Sequence, residues 1–92
     1  MKINKLFAII LDRKNNPKEG SYTNYLFDNQ EDKILKKVGE EAVEVIIAAK
    51  GQGKQRIIEE VSDLTYHTLV LLAANDITPE EIAEELEKRH SG

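Results

Sequence analysis

The stretch KKVGEEAVEVIIAAKG, Lys36 to Gly51, decides how this chain folds. On a helical wheel at about 100° per residue, Val38, Ala42, Val45, Ile46 and Ala49 gather on one side. Val43 and Ile47 lie roughly opposite. A helix apolar on two faces is one packed between neighbours. Glu41 and Glu44 fall in the gap between those faces, about 60° apart, with Lys37 and Ala48 on the same strip. Negative charge lodged between two apolar faces calls for an explanation.

The segment from about Lys54 to Ala74 repeats the arrangement. Ile57, Val61, Leu64, Thr68, Leu71 and Leu72 form its main stripe, and Leu69 and Ala73 lie away from it. Glu60 and Asp63 sit in the gap, spaced as Glu41 and Glu44 are, and His67 continues their strip. Packed antiparallel across the short GQG connection, the two helices bring four carboxylates face to face. Two readings stay open here. Acidic residues at this spacing are ordinarily solvated surface groups. Alternatively, four carboxylates share a partly dry site, where they repel and hold their protons more tightly unless a hard divalent cation sits among them. Mg²⁺ takes oxygen ligands and keeps substrate phosphates in its shell, so the second reading implies chemistry on a polyphosphate.

The rest of the chain supports a small all-α domain. Its 92 residues predict a single domain over 1–92, with little core for its surface. There is no cysteine, which removes disulfides and thiolate metal sites and suits a reducing cytoplasm. The net charge of −4 argues against a nucleic-acid partner. Leu6 to Leu11 is too short an apolar run, and too closely followed by Asp12, Arg13 and Lys14, for a secretory signal, and no stretch predicts a membrane span. The run reads instead as one face of a helix from about Asn4 to Asn15. Pro17 and Gly20 then mark a loop, and Ser21 or Thr23 caps a short turn through NYLFDN. The second helix is expected from about Gln30 to Gly51, ended by a left-handed glycine, and the third stops at Asn75. In DITPEE, Thr78 is the N-cap, Pro79 the first helical residue and Glu81 the partner that closes a capping box. The last residues, HSG, read as a frayed end. The architecture so predicted is an antiparallel bundle of about four helices.

The spacing Glu40-Glu41-x-x-Glu44 followed by Glu60-x-x-Asp63 resembles the signature of the all-α NTP pyrophosphohydrolases, the MazG-like superfamily. Within it, GSYTNYLF (Gly20 to Phe27), EEVSDLTYHTLVLL (Glu59 to Leu72) and ITPEEIAEELEKRH (Ile77 to His90) are similar to the phosphoribosyl-ATP pyrophosphohydrolases of histidine biosynthesis. That resemblance implies hydrolysis of phosphoribosyl-ATP to phosphoribosyl-AMP and pyrophosphate, dependence on Mg²⁺, and a helical homodimer at least, with active sites near the subunit interface. A dimer also suits helices apolar on two sides in so short a chain. With nothing beside the one domain, the chain is expected to perform the one hydrolysis.

Roles follow from the resemblance position by position. Glu41, Glu44, Glu60 and Asp63 match Mg²⁺ ligands. Glu40 matches the first acidic position and either orients or deprotonates the attacking water, or is an ordinary exposed glutamate. Lys36 and Lys37 are candidates for phosphate, Lys37 the better because it shares the carboxylate strip. Ser21, Tyr22 and Thr23 either donate hydrogen bonds to phosphate or ribose, or serve as caps. His67 is either a partner of the metal ligands or a buried histidine with its bonds satisfied. Gly39 costs helix stability and is explained by a close helix contact or by substrate approach. The rival functions are a housekeeping pyrophosphohydrolase acting on ordinary or damaged nucleoside triphosphates, and a non-enzymatic helical dimerisation module.

Overall fold

The computed structural model describes residues 1–28 and 30–91. Asn29, where the expected turn ended, and Gly92, in the expected frayed tail, lie outside them. Helix α1 spans Ile3–Asn15, α2 Tyr22–Asp28, α3 Leu35–Gly51, α4 Lys54–Ala74 and α5 Pro79–His90, with a π-helical turn over Gln30–Ile34 leading into α3. No strand occurs among the described residues, so the all-α expectation holds. Among the described residues there are five α-helices rather than about four. The expected short turn is the two-turn helix α2, and regular α geometry starts at Leu35 rather than near Gln30.

Local chemistry accounts for most ends. Ser21 caps α2, its hydroxyl accepting the Asn24 N–H at 3.3 Å. Thr78 and Glu81 form the capping box, with Pro79 inside the first turn. Asn75 closes α4. The left-handed glycine of the α3–α4 connection is Gly53, at φ +87, and not Gly51, because α3 runs through Gly51 before the chain turns.

The core joins Phe7 and Ile10 of α1, Leu26 of α2, Ile34 of the π turn, and Leu69, Val70 and Ala73 of α4. Lys14 donates to the Ala73 carbonyl at 2.7 Å and to Asp76 at 2.9 Å, tying the end of α1 to that of α4. The inward face of α4 therefore differs from the wheel reading. Leu69 and Ala73, expected to lie away from the main stripe, are buried together with Glu60 and His67, whereas Val61 on that stripe is exposed. A wheel fixes the relative phase of residues but not which face the chain covers. Here α1 and α2 cover the His67–Leu69 side, while α5, exposed throughout Glu80–His90, leaves the other side open. On α3 only Ala48 is fully buried, and Val43, Ile46 and Ile47 are exposed.

Candidate active site

Helices α3 and α4 form a hairpin across Gln52 and Gly53. Glu41 on α3 meets Glu60 and Asp63 on α4, and one carboxylate oxygen from each lies within 4.8 Å of the others. This is the convergence that antiparallel packing predicts for three of the four carboxylates. Glu44 lines the same cleft but is exposed and outside that group. The cleft, about 750 Å³, is also bordered by Lys36, Lys37, Gly39 and Glu40. A side-chain carbon built at Gly39 would meet no atom within 4 Å, so no close helix contact accounts for that glycine. It lies on the cleft wall.

The electrostatics fit a cation site. Burial first, then the neighbouring Asp63 carboxylate, pushes the Glu41 carboxyl above its ordinary value; His67 and Lys37 oppose that and Glu60 adds to it. Lys37 approaches Glu41 at 3.9 Å. Buried Glu60 accepts from Arg56 at 2.5 Å, and Arg56 also pairs with Glu59. Three hard oxygen donors, one of them made a poorer acid by burial and by a neighbouring carboxylate, could hold Mg²⁺ or a similar ion.

Behind the carboxylates lies a polar lock between α2 and α4. His67, 5% exposed, has its Nδ1 at 2.7 Å from the Asp63 carbonyl, which can only accept, so Nδ1 carries the proton. In the neutral ring its Nε2 accepts from the Tyr22 hydroxyl at 3.0 Å. Thr23 shares a short hydrogen bond with the Tyr66 hydroxyl. The hydroxyls of Ser21, Tyr22 and Thr23 are thus all engaged, as cap or as interhelical ties, and none of the three residues borders the acidic cleft. His67 matches the satisfied buried histidine, and it also holds the turn of α4 that carries Asp63. Tyr66 as the partner of Thr23, and Lys33, which donates to the Tyr25 hydroxyl, were not found by sequence reasoning, since each bond spans packing that no spacing encodes. The one visible signal was Tyr22 and Tyr25 three apart on a helix.

The sequence profile described as phosphoribosyl-ATP pyrophosphohydrolase matches residues 3–90. The chain belongs to that family. It is 59% identical over 88 residues to a phosphoribosyl-ATP pyrophosphatase of Clostridium acetobutylicum, covering 96% of this chain and 80% of that protein. It is 63% identical over 87 residues to one from Listeria monocytogenes serotype 4a, covering 95% and 84%. A histidine biosynthesis bifunctional protein HisIE of Caldanaerobacter subterraneus is 59% identical over 88 residues, and there the match takes up 43% of the relative. Glu40, Glu41, Glu44, Glu60 and Asp63 all line the one cleft between α3 and α4.

Proposed function

We infer that this chain hydrolyses phosphoribosyl-ATP to phosphoribosyl-AMP and pyrophosphate, an early step of L-histidine biosynthesis. The observation that carries the reading is the meeting of Glu41, Glu60 and Asp63 within 4.8 Å at a cleft edged by lysines, in a member of this family. Glu41, Glu60 and Asp63 would hold Mg²⁺, with Glu44 close enough along the cleft to reach a substrate-bound ion or a ligating water. An ion held there would supply charge neutralisation and polarisation of a phosphoryl oxygen. Lys37 and Lys36 bind the phosphates as point charges. Glu40, exposed on the cleft wall, orients the water and takes its proton as the new P–O bond forms and pyrophosphate leaves. Ser21 and Thr23 serve substrate binding indirectly, Ser21 by capping α2 and Thr23 by tying it to α4.

The same reading includes a homodimer. The chain exposes 6597 Å², against about 5,400 Å² for a compact monomer of its mass. Its radius of gyration is 14.4 Å, where about 12 Å is usual for 92 residues. Val43, Ile46 and Ile47 on α3 and Ile58 and Val61 on α4 supply an apolar surface for a second copy. No helix is long and apolar enough to cross a membrane among the described residues, and we assign the enzyme to the cytoplasm on its biosynthetic role. The test is pyrophosphate release from phosphoribosyl-ATP, dUTP and dCTP with and without Mg²⁺. Release from phosphoribosyl-ATP alone, dependent on Mg²⁺ and lost in Asp63→Asn and Glu44→Gln, is expected. Equal release from dUTP or dCTP indicates the housekeeping activity, and none from any substrate indicates a module without catalysis.

A further inference from the structure

A second cleft, about 400 Å³, is lined by Tyr25, Lys33 and Asp32 and joins the acidic cleft through Lys36, Lys37 and Glu40, which border both. The two clefts are continuous, so one extended ligand can lie across both. The rings here form a ladder. Tyr22 stacks on Tyr66 and on Tyr25, with centroids 6.2 and 6.1 Å apart and planes within 25° of parallel. Tyr25 is half exposed at the cleft end of that ladder. The Lys33 ammonium lies 3.6 Å from the centroid of this ring and also donates to its hydroxyl, so the Tyr25 side chain already meets a cation in the free protein.

We propose that Tyr25, backed by Tyr22, is the subsite for the substrate's adenine and selects the ring that carries positive charge. The proposal rests on the hydrolysis inferred above. In phosphoribosyl-ATP the adenine bears a second phosphoribosyl group on a ring nitrogen, and alkylation there leaves the purine cationic at neutral pH. The adenine of ATP is neutral. An electron-rich tyrosine face attracts the first more than the second, and a stacked base gains from the ring in either case. The incoming ring replaces the Lys33 ammonium, which is freed to pair with the phosphate of the added phosphoribosyl group. Metal and polyphosphate contacts at the carboxylates are common to every nucleoside triphosphate, so discrimination against ATP has to come from contacts to the charged ring and to the added phosphoribosyl group.

The experiment compares binding of ATP and 1-methyl-ATP, which differ by one methyl group and the charge of the ring. Equilibrium titration of the intact protein is run with Ca²⁺ in place of Mg²⁺ to hold hydrolysis back. The wild-type protein is expected to favour 1-methyl-ATP on the order of tenfold. Tyr25→Ala should bind the two equally, and Tyr25→Phe should keep most of the preference. Equal binding by the wild-type protein, a preference that survives in Tyr25→Ala, or no binding of either nucleotide overturns the proposal. Should Tyr25→Ala lose its helical circular dichroism, Tyr25→Phe decides, a lost preference there being adverse. Pyrophosphate release from phosphoribosyl-ATP by the wild-type protein is read separately, so failure of the subsite and failure of the hydrolysis are told apart.

Discussion

Replacing Glu41 by glutamine keeps the shape of the side chain and removes one of three charges that lie within 4.8 Å of each other. At that separation two carboxylates repel by about 3 kcal/mol at an effective dielectric constant of about 20, and by about 1 kcal/mol at that of water. Asp63 is exposed and the cleft is open, so the lower figure applies. The metal-free Glu41→Gln protein should therefore melt higher than wild type, by about 4–8 °C for each kcal/mol in a domain of this size. The pH dependence follows in sign. Glu41's folded value is raised, so the folded protein binds more protons than the unfolded chain between the ordinary and the raised value. Stability of the metal-free wild type then falls as pH rises through that window. The difference from Glu41→Gln should open there and close in acid. Turnover should fall by orders of magnitude, since the metal supplies several kcal/mol in the transition state and each 1.36 kcal/mol is tenfold. Calorimetry in EDTA and in Mg²⁺, over a series of pH values, and a pyrophosphate assay measure all three. A lower melting point in EDTA, an unchanged Mg²⁺-induced rise, or near-normal turnover would refute the reasoning.

Sedimentation at micromolar concentration should give at least twice the 10.4 kDa chain mass, and Ile46→Glu, which charges an exposed apolar site on α3, should shift the protein toward monomer. Tyr22→Phe removes the donor to Nε2 of His67 and should lower stability by about 1 kcal/mol, seen in thermal melts; an unchanged melting point would mean that water replaces the hydroxyl. Thr78→Ala should cost α5 about 1 kcal/mol. Because α5 is exposed throughout Glu80–His90, the loss should appear as faster amide exchange in that helix with little change in global melting.

What the sequence disclosed was what neighbours along the chain determine. The ends of α1 and α4 and the Thr78 box could be read because caps are chosen within a few residues. The paired spacing of Glu41 and Glu44 with Glu60 and Asp63 announced the hairpin, and three of those four meet. The break after NYLFDN could be placed, but the π turn ahead of α3 was not readable, since QEDKI contains neither glycine nor proline and the turn accompanies the burial of Leu26 and Ile34 in one core. The inward face of α4 was misread because coverage depends on α1 and α2, which lie far away in sequence. The ties from Tyr22 to His67 and from Thr23 to Tyr66 cross more than forty residues for the same reason.

The α3–α4 hairpin has a kinetic consequence. Its two helices are joined by Gln52 and Gly53 alone, so closing it costs little chain entropy, and contacts so local form early in folding. The carboxylates that repel one another are thus brought together before the rest of the core is complete. Their repulsion is a toll on the folding rate more than on the unfolding rate. A divalent cation that relieves it should steepen the approach to the native state, shifting the folding limb of a denaturant chevron upward and leaving the unfolding limb nearly in place. The pair of helices that holds the reaction's charge is, on this view, also where folding begins.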